Sequence, residues 1–250
     1  MTQNLHPMEL EEWAHVKYRD ASARRWFLEF RLEQPEGDDV ASLIRAIAPD
    51  LTLQERMVCL SKYPEVNDWE GVGEAQAMVK ILDEIYERVN QPYDDHYSVP
   101  DLTQQTVAIY HAASPEQQKE VLWYLGSGGS LPPSRVFRCL MGSRHSPSMI
   151  ALSVLAVIEP ALGPADWEGL RDLLHQDTRS GLSAFIPQSA SPRMRVALLH
   201  HELVSPHLHV VMNAITRHKV DPLKYPEGLS NTLLDALRTL KNLWACGRCP

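Results

Sequence analysis

The stretch Leu198 to His218, LLHHELVSPHLHVVMNAITRH, carries five of the chain's eleven histidines. Imidazole binds metals and titrates near neutrality, so such a cluster raises metal chemistry, acid–base catalysis and proton switching together. His201-Glu202 matches the first half of H-E-x-x-H, in which histidines one turn apart hold zinc and the glutamate acts as base. The second histidine would fall at residue 205, but that position is Ser205, followed by Pro206. After Pro206, Leu208, Val211, Met212 and Ile215 define an apolar face, and a turn of about 100° per residue sends His207 and His209 to opposite flanks of it. Before the break, His201 falls on the stripe of Met194, Ala197 and Leu198, while His200 points about 100° away. Across an antiparallel turn near Ser205, His201 and His209 lie equidistant from the elbow and can approach each other. That supplies two ligands where zinc takes three or four.

Two further motifs carry reactive residue types. CGRC (Cys246 to Cys249) closes a helical pattern, whereas a redox CxxC opens a helix whose N-terminal field lowers the thiol pKa. NQPYDDHYSVPD (Asn90 to Asp101) groups Asp94, Asp95 and His96 between Tyr93 and Tyr97. Paired carboxylates do acid–base work inside an apolar cavity, but this segment reads as an exposed loop. It suits binding better, because tyrosine offers amphipathic contact area at low entropic cost. No phosphate-cradling G-x-x-x-x-G-K-[ST] and no G-x-S-x-G elbow is present. The sequence therefore assigns no catalytic residue, no cofactor-binding residue and no metal ligand. Its candidate protein-binding residues are Glu84, Glu87, Tyr93, Asp94, Asp95, His96 and Tyr97.

Charge supports that choice. The chain has 250 residues and a net charge of −8. From Glu65 to Asp101 there are ten acids against Lys80 and Arg88, while from Ser191 to Pro250 eight Lys/Arg face four acids. An acidic middle steers a basic protein partner. Nucleic acid is disfavoured, because no dense Lys/Arg stripe with interleaved aromatics appears. A mildly basic C-terminal third keeps nucleic acid as a third class to test.

The elements that would position these residues are helical. Ala23, Trp26, Phe27 and Phe30 close a first long helix expected over residues 7–33, followed by a short one over 38–48. Thr52 and Glu55 form an S/T-x-x-E capping box. Val72, Ala75, Val79, Leu82, Tyr86 and Val89, with Met78, Ile81 and Ile85 beside them, form an apolar arc wide enough for a helix buried on more than one side. MIALSVLAVI (Met149 to Ile158) is too short to span a bilayer, which takes about twenty residues, and reads as a core helix. In the second half, helix starts of the type Ser-Pro, Gly-Pro or Asp-Pro recur at Pro115, Pro147, Pro164, Pro192, Pro206 and Pro222, with Pro132-Pro133 as a variant. The six tryptophans read as core anchors.

Such spacing makes antiparallel helical hairpins. Over residues 101–245 it resembles a HEAT-like α-solenoid, with a compact irregular bundle as the alternative. GSGGS (Gly126 to Ser130) before Leu-Pro-Pro marks a bend at 126–133 inside one all-α domain spanning 1–250. The start lacks a signal-peptide pattern and the cysteines lack a disulfide framework, so a cytoplasmic protein is expected. The function expected is a non-enzymatic protein–protein interaction module of the bacterial adaptor or toxin-neutralising (immunity) kind. It would use the acidic segment 65–101 on a partner with a basic surface, with no membrane and no cofactor. The alternative is a metal-dependent hydrolase with its site near His201 and His209.

Overall fold

A computed structural model describes residues 7–32, 38–90, 98–127, 129, 131–133, 135, 147–176 and 185–245. Among these residues every regular element is a helix, so the protein is all-α. The chain groups into two compact units, Met1–Tyr86 with Leu131–Arg144, and Glu87–Ser130 with His145–Pro250.

The first unit contains α1 (Pro7–Val16), α2 (Ala21–Trp26), a π-helical turn (Phe27–Arg31), α3 (Asp38–Ile47) and α4 (Leu53–Lys62). It also takes most of α5 (Val72–Val89), since the division between the units falls inside that helix. The long first helix expected over 7–33 is broken. Asp20 accepts a hydrogen bond from the Ala23 amide at 2.9 Å and starts α2 afresh, because an N-cap carboxylate satisfies an orphan N–H better than helix continuation would. The π turn then shifts the helical phase. Phe27, Leu28 and Leu32 enter the core, while Trp26 is 43% exposed and is no core anchor. Trp13 is buried and packs at 5.2 Å against Phe27. α5 buries Ala75, Met78, Leu82, Ile85 and Val89.

The capping box at Thr52 is formed in both directions, with the Thr52 amide donating to Glu55 at 2.8 Å and the Glu55 amide to the Thr52 hydroxyl at 3.3 Å. Glu55 also accepts two hydrogen bonds from Arg24, at 2.7 and 2.6 Å. Burial alone would raise the Glu55 pKa, but Arg24 and the Thr52 amide overcome it and hold the carboxyl below its usual range. Arg24 further donates to the carbonyls of Lys17 at 2.9 Å and Asp50 at 2.7 Å, tying the loop after α1 to the start of α4. Arg24→Ala should therefore destabilise the first unit by about 2–3 kcal/mol, because it strands a largely buried carboxylate. Arg24→Lys should recover only a minor part, since an ammonium lacks the planar fork. Near-UV circular dichroism during urea unfolding is the check, and an Arg24→Ala loss below about 0.5 kcal/mol would contradict the assignment.

The second unit holds α6 (Val99–Ala112), α7 (Pro115–Ser127), α8 (Met149–Ile158), α9 (Pro164–Gln176), α10 (Pro192–Leu198), α11 (His200–Leu203), α12 (Leu208–His218) and α13 (Asn231–Ala245). α6 packs on α8, α7 on α8 and α9, α9 on α10, and α11 on α12. Pro115, Pro164 and Pro192 open helices as the sequence indicates. Ser148, not the Ser146-Pro147 pair, caps α8, accepting the Ala151 amide at 3.1 Å. Asp221-Pro222 starts only a 3-10 turn (Pro222–Lys224), a second one follows (Pro226–Gly228), and Ser230 accepts the Leu233 amide in the first turn of α13 at 3.4 Å. α8 buries seven of its ten residues. α7 continues through Ser127, and a Cβ on Gly126 would stand 3.1 Å from a Leu170 methyl, so this glycine permits close packing of α7 on α9.

Candidate functional site

Of the sequence-derived binding residues, Tyr93, Asp94, Asp95, His96 and Tyr97 lie outside the described residues, as do Cys139, Cys246 and Cys249. Glu84 is half-buried and Glu87 exposed, both on α5. Asp83 and Glu87 lie along the C-terminal half of an exposed stripe that begins at Glu74, with Glu84 at its edge. Part of the acidic segment is neutralised within the chain. Asp68 pairs with Arg45 at 2.9 Å, which holds its carboxyl below the usual range, and Glu74 pairs with Arg56 at 2.8 Å. Cys59 is buried, and that burial pushes its thiol up to about 12, which makes it a poor nucleophile.

The histidine stretch folds as a helical hairpin, but with its side chains placed differently from simple helical phasing. The helix breaks at Leu199 (φ −87°, ψ 0°), and the break rotates the turn that begins at His200. His200, expected away from the core stripe, is half-buried, while His201, expected on it, is exposed. His207 is the N-cap of α12 with extended backbone (φ −96°, ψ 106°), so the helical angle does not apply to it. Its ring therefore lies 5.7 Å from that of His209, not on the opposite flank. His209 itself is exposed. Among the described residues no group of three or more His, Cys, Asp or Glu is placed to hold a metal ion.

His200 meets a partner that sequence spacing could not reveal. Its ring stacks on His175 of α9, with centroids 3.8 Å apart and planes 12° from parallel. His175 Nε2 lies 3.1 Å from the Gly228 carbonyl, which can only accept, so that nitrogen carries the proton. Burial, then the neighbouring His200, lower the His175 pKa to about 4. Burial and His201 lower that of His200. His200 Nδ1 is buried without a hydrogen-bond partner. Two neutral, stacked imidazoles make a packing element, because a general base near neutrality needs a pKa close to the working pH.

An open groove of ≈ 420 Å³ lies beside His200, bounded by α11, the turn at 204–206, α12 and α13. Leu203, Val211, Leu233 and Leu237 form its buried wall. Val204 is 48% exposed and Leu208 52% exposed at its lip, and Met212 is exposed one turn further along α12. The apolar face of α12 was legible in the sequence. That its Leu208 and Met212 end face water was not, because helical phase does not tell which part of an apolar arc the neighbouring helix covers.

The fold and this groove define an all-α protein with an open apolar recess. No helix among those residues is long and apolar enough to cross a membrane. Comparison with protein-family models, curated proteins and solved structures finds no match to this chain.

Proposed function

We propose that this chain is a non-enzymatic protein-interaction module of the adaptor or toxin-neutralising kind. The exposed Val204 and Leu208 at the lip of the α11–α13 groove carry the reading, since solvent-facing apolar side chains around a concave apolar wall mark an interaction site. The pairing of α6 with α8 and of α7 with α9 supports a HEAT-like stack of hairpins in the second unit, an architecture that presents such surfaces. Asp83, Glu84 and Glu87 on α5, with the acidic Asp94 and Asp95 beyond it, favour a partner with a basic surface. A free, buried Cys59 accords with a reducing cytoplasm. For the metal-dependent hydrolase alternative with its site near His201 and His209, the described residues offer no group of three or more His, Cys, Asp or Glu placed to hold a metal ion.

A partner captured from native lysate should be identified and its affinity measured against two sets of variants. Val204→Asp with Leu208→Asp should weaken binding by at least about tenfold, as loss of anchor residues does. Glu84→Lys with Glu87→Lys, and Asp94→Lys with Asp95→Lys, should slow association and reduce its salt dependence. Unchanged affinity and unchanged association rate in every variant would end the proposal.

A further inference from the structure

Beyond the protein-binding groove, the second unit contains a separate concavity of ≈ 410 Å³, lined by α10, the end of α12 and the turn at 222–224. Its rim carries Arg195, Lys219 and Lys224 against the single carboxylate of Asp221. In a chain of net charge −8, this is a local excess of positive charge. The Asp221 carboxylate is already engaged, accepting the Leu223 amide at 3.1 Å. Arg195 is held in place by two backbone carbonyls, with Nε donating to Ala190 at 2.9 Å and an Nη to Gln188 at 2.8 Å, which leaves its other N–H groups to point elsewhere. Lys219 and Lys224 are exposed and form no ion pair among the described residues. Ile215, Val220 and Tyr225 supply the apolar and aromatic part of the lining.

Lys219 adds a second observation. It is the C-cap of α12 at φ 50°, ψ 42°, and among the described residues no other non-glycine residue has a positive φ. Glycine is the usual occupant of such a position, because a Cβ there costs about 1 kcal/mol. A lysine that keeps this strained conformation places an ammonium at the rim of the concavity. The same electrostatic surroundings act on His218, whose pKa is lowered by burial, then by Arg217 and Arg195, with Glu202 opposing.

We propose that this concavity binds a small phosphate monoester, its anionic head on Arg195, Lys219 and Lys224 and its organic body on Tyr225 and Ile215. A fixed guanidinium suits the planar, bidentate recognition of phosphate, and two mobile ammonium groups add charge. The volume lies within the range of small-molecule sites, about 300–1,000 Å³.

Calorimetric titration of the full chain with phenyl phosphate at low salt is the test. Saturable binding is expected, with inorganic phosphate at least about tenfold weaker and phenol, which lacks the charge, without measurable binding. Lys219→Gly is the informative variant. It should raise the melting temperature, by relieving the left-handed strain, and weaken phenyl phosphate at least about tenfold. Lys224→Gln should weaken the ligand while leaving the melting temperature unchanged. Absence of saturable phenyl phosphate binding overturns the proposal, as does equal binding of phenol. Undiminished binding in both lysine variants also overturns it, and then leaves these cations as partners of the α12 C-terminal dipole alone.

Discussion

Arg193→Met is expected to destabilise the second unit by about 3–5 kcal/mol, because it leaves the Glu159 carboxylate buried and unpaired. Glu159 is 0% exposed, at the C-terminal end of α8, where the field of the helix dipole disfavours a negative charge. Arg193 Nε donates to Glu159 Oε1, and an Arg193 Nη donates to the Glu159 carbonyl at 2.8 Å. The second carboxylate oxygen is buried without a hydrogen-bond partner, so the arginine supplies the compensation for this charge. The guanidinium also lies 4.6 Å from the centroid of the Trp167 ring, whose indole N–H donates to the Glu227 carbonyl at 3.0 Å. Arg193 thus ties α10 to α8 and α9, and Trp167 carries the link on to the 226–228 turn. The turn is pressed against α10, since a Cβ on Gly228 would stand 2.5 Å from the Arg193 carbonyl oxygen.

Methionine keeps much of the volume and removes the charge, so the loss reports the stranded carboxylate more than a cavity. The double variant Glu159→Leu/Arg193→Met should be less destabilised than Arg193→Met alone, by about 1–4 kcal/mol, because removing both partners removes the desolvated charge. Guanidinium unfolding of the parent, of Arg193→Met and Glu159→Leu singly, and of the double variant forms the test cycle. If Arg193→Met costs under about 1 kcal/mol, or the double variant is worse than the single, the buried pair does not hold this region together.

Much of this architecture could be read from local signals. The Thr52–Glu55 capping box and the starts at Pro115, Pro164 and Pro192 need only residues three or four apart, and all form. The α5 arc and the α8 core run likewise come from one period. Signals failed where one local preference competed with another. Asp20 broke the first helix, the π turn re-phased Phe27 and Trp26, and the break at Leu199 exchanged the roles of His200 and His201. Contacts across long separations left no local trace. The His175–His200 stack, the Glu159–Arg193 pair and the Arg24–Glu55 pair join residues 25, 34 and 31 positions apart, on different helices. Glu159 is a clear case: in sequence it ends an apolar run, and in the structure its carboxylate is one half of a buried ion pair.

Mild acid should destabilise the second unit through the imidazole stack. His175 has a folded pKa of about 4 against an ordinary value of 6.5, and burial is the main cause. Because the folded value is the lower one, the unfolded chain binds more protons between these limits. Stability is therefore complete above about pH 6.5 and is lost progressively as pH falls toward 4. His200 and His218 shift in the same direction and add to the slope. The groups acting on the stack do not reverse the sign. Arg171 opposes a positive charge on either ring and His201 opposes it on His200, while the Gly228 carbonyl and Asp172 favour it on His175 without overcoming burial and the neighbouring ring. After discounting for solvent at the half-buried ring, His175 alone should contribute about 2 kcal/mol of acid sensitivity. The carboxylates of Asp50, Glu55 and Asp68 have lowered pKa values, so their stabilisation is lost only as pH falls into the ordinary carboxylate range and below. The interval from about pH 6.5 to 4.5 consequently isolates the histidines. Urea unfolding across that interval should show a falling midpoint in the parent protein and a much flatter profile in His175→Phe/His200→Phe, where two apolar rings can stack without taking up a proton. His200→Phe alone should remove part of the slope, since it deletes one titrating ring and its repulsion on His175. Equal slopes in the parent and the double variant would mean that acid sensitivity in this interval arises elsewhere, and that the stack is a packing contact without a proton-linked role.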